Sequence, residues 1–257
     1  MVAPLEIVQL PVLHDNYIYL LHDPVTHKTA VVDPALPDEP LRAAAARGWE
    51  ITHILNTHHH GDHVGGNEAI QEATGCVIVG PKADAQRIPG IDVEVDDGDV
   101  FTFGSKQAKV LFTPGHTRGH IVYWFEEDAA LFCGDTLFAM GCGRLFEGTP
   151  AQMWSSLQKL IDLPGNTRVY CAHEYTQANG TFALSVEPQN TALQGRMREV
   201  EALRERGKPT VPSRIDLERA TNPFLRPDSA HLQETIGLPG APIVEVFAKT
   251  RELKDNF

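Results

Sequence analysis

The residues best suited to chemistry in this chain are imidazoles and carboxylates. Four of them fall within six positions at His58-x-His60-x-Asp62-His63, on a segment leaving the apolar run Ile51 to Leu55. Three more stand apart: His116 in Thr113-Pro114-Gly115-His116-Thr117, Asp135 in Cys133-Gly134-Asp135-Thr136, and His173 in Cys171-Ala172-His173-Glu174-Tyr175. Borderline and hard divalent metals favour such donors, and a short loop can aim alternate side chains at two neighbouring ions. A lone histidine is ordinarily a surface residue or a hydrogen-bonded core residue. It is the four pieces in this order, each at or beyond the end of an expected strand, that point to a metal centre. His59 alternates with two candidate donors and is expected to point away from them. His120 and Asp33 suit the task of orienting a ligand, with plain turn or core roles equally open. His14, His22, His27, His53 and His231 read as exposed or structural.

The elements that must position these groups follow from hydrophobic pattern and turn chemistry. Glu6 to Leu10, Tyr17 to Leu21 and Thr29 to Val32 are rich in branched and aromatic residues and read as an antiparallel meander. Pro37 to Arg47 predicts a helix ended by Gly48, and Asn67 to Ala73 a second one. Later strands are expected at Cys76 to Val79, Val100 to Phe103, Lys109 to Phe112, His120 to Phe125 and Ala129 to Cys133. Many strands with scattered helices suggest two packed sheets covered by helices, an αββα layering of the α+β class. Leu193, Met197, Val200 and Leu203 recur at helical spacing, and Ile243, Val246, Phe247, Thr250 and Leu253 mark a last helix. The chain therefore divides into 1–176, a catalytic domain, and 177–257, a helical one.

Bulk properties narrow the function. The 257 residues carry a formal net charge of -12, with 42% hydrophobic and 22% charged residues, as in an ordinary globular protein. A nucleic-acid partner would meet repulsion over most of such a surface, so none is expected. No stretch approaches the roughly 20 apolar residues of a membrane span, and the first residues read as neither a secretory signal nor a transit peptide. A cytoplasmic location follows, with a monomer as the default. Cys76, Cys133, Cys142 and Cys171 form no CxxC pair and read as buried thiols; a ligand or reactive role for Cys142 or Cys171 is the lesser alternative.

The order and setting of the histidine and aspartate motifs resemble the metallo-β-lactamase superfamily. The resemblance implies a four-layer sandwich and two divalent ions. His58, His60 and His116 would hold the first, Asp62, His63 and His173 the second, and Asp135 would bridge them. The attacking hydroxide would lie between the ions, beside Asp62 and Asp135. Zinc suits this donor set, as do iron and manganese. A fold hosts many reactions, so the substrate must be read elsewhere. Gly141-Cys142-Gly143-Arg144-Leu145-Phe146-Glu147-Gly148-Thr149, His173-Glu174-Tyr175-Thr176, Val186-Glu187-Pro188-Gln189-Asn190, Thr221-Asn222-Pro223-Phe224-Leu225-Arg226 and the terminal Arg251-x-x-Lys254-Asp255 resemble the glyoxalase II, or hydroxyacylglutathione hydrolase, family over essentially the whole chain. That likeness implies hydrolysis of S-lactoylglutathione, a small-molecule thioester. Arg144, Phe146, Tyr175, Arg251 and Lys254 would line the glutathione site. Phe146 stands where some relatives carry Tyr, and Arg144 where others carry Lys. Other hydrolases of the fold (a broad thioesterase, a β-lactamase), a persulfide dioxygenase and a non-enzymatic metal binder are the rival readings. The complete donor set and the terminal cations weigh against them.

Overall fold

The computed structural model describes residues 3–257. Its backbone contacts divide into two compact units. One runs up to Phe112 and takes in Arg118–Gly134; the other comprises Thr113–Thr117 and Asp135–Phe257.

The first unit is a sandwich of two sheets. Glu6–Val12, Asn16–Asp23 and Lys28–Val32 form the antiparallel meander expected from the sequence. Lys28–Val32 then pairs in parallel with Glu50–Leu55, which continues in parallel to Val77–Pro81 and Val93–Val95. Parallel neighbours need a crossover, and the helices Asp38–Ala45 and Asn67–Thr74 supply two of them. Ala44 and Ile70 pack with Leu20, Val31, Ile54 and Ile78 in one buried cluster. The second sheet is antiparallel: Val100–Phe103, Lys106–Phe112, Ile121–Phe125 and Ala130–Gly134. Aromatic rings join the two sheets, with Tyr19 edge-on to Phe132 at 5.5 Å and His53 edge-on to Phe103 at 5.4 Å. The Tyr123 hydroxyl donates to the Asn56 carbonyl at 3.0 Å, tying the second sheet to the carboxyl end of Glu50–Leu55. His53 is thus a structural residue, as is His22, which stacks on Trp49 at 4.3 Å and bonds Thr29.

The second unit is mainly helical. Pro150–Ile161 starts at a capping box in which Thr149 and Gln152 satisfy each other's backbone. Thr176–Val186 and Thr191–Glu205 pack closely because Gly180 offers no side chain: a Cβ there would lie 1.9 Å from the Met197 sulfur. Met140, Ala183, Leu193, Met197 and Val200 form their shared core. Phe224 contacts both Phe182 and Phe247, which joins the last helix, Ile243–Asp255, to this group. A short hairpin, Leu137–Phe138 with Gly141–Cys142, and the ladder of Arg168–Cys171 with Ser213–Arg214 complete the unit.

Candidate metal centre and substrate cleft

In the first unit the strand Glu50–Leu55 ends and its chain turns into the one-turn helix Gly61–Val64, spreading the donor-rich segment around its tip. His58 is fully buried, and its Nε2 lies 3.1 Å from His60 Nδ1. His63 Nε2 lies 3.6 Å from Asp62 Oδ2. In the second unit Asp135 stands between two imidazoles, its Oδ2 at 3.4 Å from His116 Nε2 and its Oδ1 at 3.4 Å from His173 Nε2.

These spacings test whether the donors fit an ion. Atoms held at roughly 2.0–2.1 Å from one tetrahedral metal are about 3.3–3.4 Å apart. All four pairs cluster around that value, and the donors are imidazole nitrogen and carboxylate oxygen, the types a divalent ion of this class takes. The residues fit.

Hydrogen bonds also set which nitrogen each ring presents. The Arg144 carbonyl, 2.9 Å from His116 Nδ1, can only accept, so Nδ1 carries the proton and Nε2 keeps its lone pair. The Asp33 carboxylate does the same for His63, with Oδ2 at 3.1 Å from Nδ1. Asp33 also accepts from the Thr57 amide at 2.7 Å and the Thr57 hydroxyl at 2.6 Å. That hydroxyl, its own proton committed, accepts in turn from His58 Nδ1 at 3.0 Å. One buried carboxylate therefore sets the tautomer of two histidines. His59 is turned aside as expected, its Nδ1 on Asp84 at 3.2 Å and its Nε2 accepting from Arg87 at 3.0 Å. His120 stacks on His58 at 4.7 Å.

Four of the five expected glutathione residues, Arg144, Tyr175, Arg251 and Lys254, lie along one cleft of the second unit, and Phe146 is not among the residues lining it. Its volume is about 330 Å³, and Phe138, Cys142, Arg144, Tyr175, Arg251 and Lys254 are among its walls. Tyr175 stacks on His173 at 4.7 Å with rings nearly parallel. Phe146 is 60% exposed and meets His116 edge-on at 5.2 Å, with the Arg144 guanidinium over its face. The spacing of Arg251 and Lys254 alone would suit a solvated helix face, but Arg251 is buried. It donates to the Cys142 carbonyl at 2.8 Å and to Asp255 at 3.1 Å, with its plane over Phe224. Lys254 is half-buried, and desolvation together with the nearby Arg251 charge lowers its pKa. Burial pushes the Cys142 thiol up to about 11 and the Cys171 thiol up to about 12. Neither is a reactive thiolate, and among the described residues no cysteine joins a cluster of metal donors.

Residues 13–173 match the metallo-β-lactamase superfamily model, and residues 174–257 match the model for the hydroxyacylglutathione hydrolase C-terminus. The chain belongs to the hydroxyacylglutathione hydrolase family of the metallo-β-lactamase superfamily. A hydroxyacylglutathione hydrolase of Methylococcus capsulatus is 60% identical over 98% of this chain and 99% of its own length. Among solved structures, ETHE1 from Myxococcus xanthus superposes with a TM-score of 0.68 at 26% identity, over 98% of this chain and 100% of that one. TTHA1623, solved in a di-iron-bound form, gives 0.56 at 28% identity over 65% of this chain and 91% of that one. Family membership accounts for the α+β sandwich with a helical carboxyl-terminal region.

Two supporting residues were invisible in the sequence. Asn16 donates to Asp62 Oδ2 at 3.0 Å, although 46 positions separate them. Thr57, next to His58, carries no spacing signal and takes its role only from the approach of Asp33.

Proposed function

We propose that this protein hydrolyses S-(R)-lactoylglutathione to D-lactate and glutathione at a pair of divalent metal ions. His58, His60 and His116 would hold one ion and Asp62, His63 and His173 the other, with Asp135 shared between them. The carrying observation is Asp135, with each carboxylate oxygen facing a different imidazole at 3.4 Å, an arrangement suited to two ions and wasted on one. Bound, such a pair lowers the pKa of a shared water from 15.7 to about 7 and polarises the thioester carbonyl. The protein's part is to keep the lone pairs of His58, His63 and His116 aimed inward, through Asp33, Thr57 and the Arg144 carbonyl. A thiol of pKa near 8.5 leaves readily as thiolate, so the site has no need of a strong acid.

Glutathione brings two carboxylates to an acidic protein, and Arg144, Arg251 and Lys254 supply cations along the cleft, with Tyr175 as an aromatic wall and Phe146 beside the Arg144 guanidinium. Residues 1–176 form the catalytic part and 177–257 the substrate-binding part. Zinc is the expected metal, with iron or manganese able to serve the same donors; the di-iron form of TTHA1623 supports iron as an occupant of such a site. Among the described residues no helix is long and apolar enough to cross a membrane. A cytoplasmic monomer remains part of the proposal.

The test is a thioester panel run on samples of measured metal content. Prolonged chelation abolishes lactoylglutathione hydrolysis and added zinc, iron or manganese restores it. Full activity in verified metal-free protein, or preference for a β-lactam or an acyl-coenzyme A, refutes the reading.

A further inference from the structure

The hairpin Leu137–Phe138 with Gly141–Cys142 has only two paired residues in each strand, far too few to hold itself together. Its turn includes Met140 at φ 57, a left-handed conformation that disfavours any residue with a side chain. Something else must hold it, and the neighbouring helical region does. Asn222 Nδ2 donates to the Phe138 carbonyl at 3.2 Å and the Gly141 carbonyl at 2.9 Å. Asn179 Nδ2 donates to the Ala139 carbonyl at 3.2 Å. The Met140 amide donates to Glu218 Oε2 at 2.8 Å, and Arg251 to the Cys142 carbonyl at 2.8 Å. Five consecutive residues thus each give a backbone group to a buried side chain.

Behind these contacts is a closed polar network. Glu218 is fully buried and accepts from Arg196 at 2.5 Å, from Asn222 at 3.0 Å and from the Ser213 hydroxyl. Arg196 also reaches Thr221 at 2.6 Å. A buried ion pair contributes little net stability, because desolvating both charges offsets their attraction. Its hydrogen bonds are nevertheless directional, and here they point at one hairpin. That hairpin presents Phe138 edge-on to Tyr175 at 5.3 Å and, with Cys142, forms a wall of the cleft. Arg144 follows two residues later in the chain.

We infer that Asn222 and Glu218 are positioning residues that set this wall for the glutathione arm of the substrate, acting through the backbone of residues 138–142. The inference rests on the reading of the cleft as a glutathione site. A role confined to general stability would lower the active fraction and affect all substrates alike. Positioning the wall affects only what the wall touches.

The experiment compares the metal-loaded wild type with Asn222→Ala and Glu218→Gln. Two thioesters of the same acyl group are used, one on glutathione and one on uncharged N-acetylcysteamine. With two backbone anchors lost, KM for the glutathione thioester rises about tenfold in Asn222→Ala while kcat changes little. Its kcat/KM for the N-acetylcysteamine thioester stays at the wild-type value. The Kd for glutathione itself, measured by calorimetry, weakens by about the same factor. Protein lost irreversibly to misfolding lowers the calorimetric stoichiometry and leaves Kd unchanged, so Kd remains decisive for a variant that folds in poor yield but is fully folded under the assay conditions. Equal losses on both thioesters, or an unchanged glutathione Kd in both variants, overturn the inference. A wild type that does not prefer the glutathione thioester refutes the substrate reading instead, and the inference falls with it.

Discussion

Asp33→Asn is the sharpest test of the metal centre, because it changes one atom and through it two histidines. In the wild type the carboxylate accepts three bonds, from the Thr57 amide, the Thr57 hydroxyl and His63 Nδ1. An asparagine oxygen can keep the amide, which turns its NH2 group toward the other two. His63 Nδ1 must then accept, which moves its proton to Nε2, the nitrogen that faces Asp62. The Thr57 hydroxyl, now receiving a proton from the amide, gives its own to His58 Nδ1, which moves the His58 proton to Nε2 as well. Both lone pairs proposed for the metals are lost. Binding can restore each only by sacrificing a hydrogen bond to the new amide. Taking about 1.5 kcal/mol for each gives about 3 kcal/mol, or a loss of metal affinity on the order of 100-fold. Titration of metal-stripped protein with zinc against a chromophoric chelator measures this directly. Asn16→Ala is the comparison: it removes one donor from Asp62 without touching any tautomer, and costs about tenfold at most. An Asp33→Asn protein that folds and binds zinc within about threefold of wild type would show that the carboxylate does not govern the ligands.

Two further outcomes are expected. His53 is pushed down to about 4 by burial first and by the Lys28 charge second. Its folded pKa lies below the unfolded value, so its contribution is fully present above about pH 6.5 and is lost as pH falls toward 4. The full shift corresponds to about 3 kcal/mol, which partial exposure discounts to about 1–2 kcal/mol. Chemical denaturation at pH 7 and pH 5 measures this loss, and His53→Gln should reduce it; an unchanged pH dependence in that variant counts against the assignment. Gly134→Ala should destabilise the protein by about 2 kcal/mol or more. At φ 47 its Cβ would stand 2.3 Å from the Thr57 hydroxyl and 2.9 Å from His120 Nε2. Thermal melts decide this, and an unchanged Tm would mean that Thr57 and His120 are not held in place.

What the sequence disclosed follows the range over which each signal acts. The strands were legible because residues such as Tyr17 to Leu21 are branched, aromatic and bounded by turn residues, all local facts. The seven proposed metal donors stand out because six adjacent positions hold four of them and the other three sit in short motifs after strands. The helix Pro150–Ile161 is not among the elements expected from the sequence, although Thr149-Pro150-x-Gln152 is a start signal. Val93–Val95 lies among acidic residues and the Leu137–Cys142 hairpin has strands of two residues, both too short for any periodicity to register.

Arg251 shows why the remainder could not be read. Four positions before Asp255 and three before Lys254, it suits a surface ion pair or an anion site. Its actual partners include a carbonyl at position 142 and a ring at position 224, brought together only by the folded unit. The same holds for Asn16 with Asp62 and for Asn222 with Gly141. In each case a side chain orients a group of the proposed metal centre or of the proposed substrate cleft, and its partner is remote in sequence. Donor identity is a local property, so it survives in the sequence of a metal hydrolase. Donor orientation is a property of contacts across the fold. A relative could keep all seven proposed ligands and still lose activity through Asp33 or Asn222.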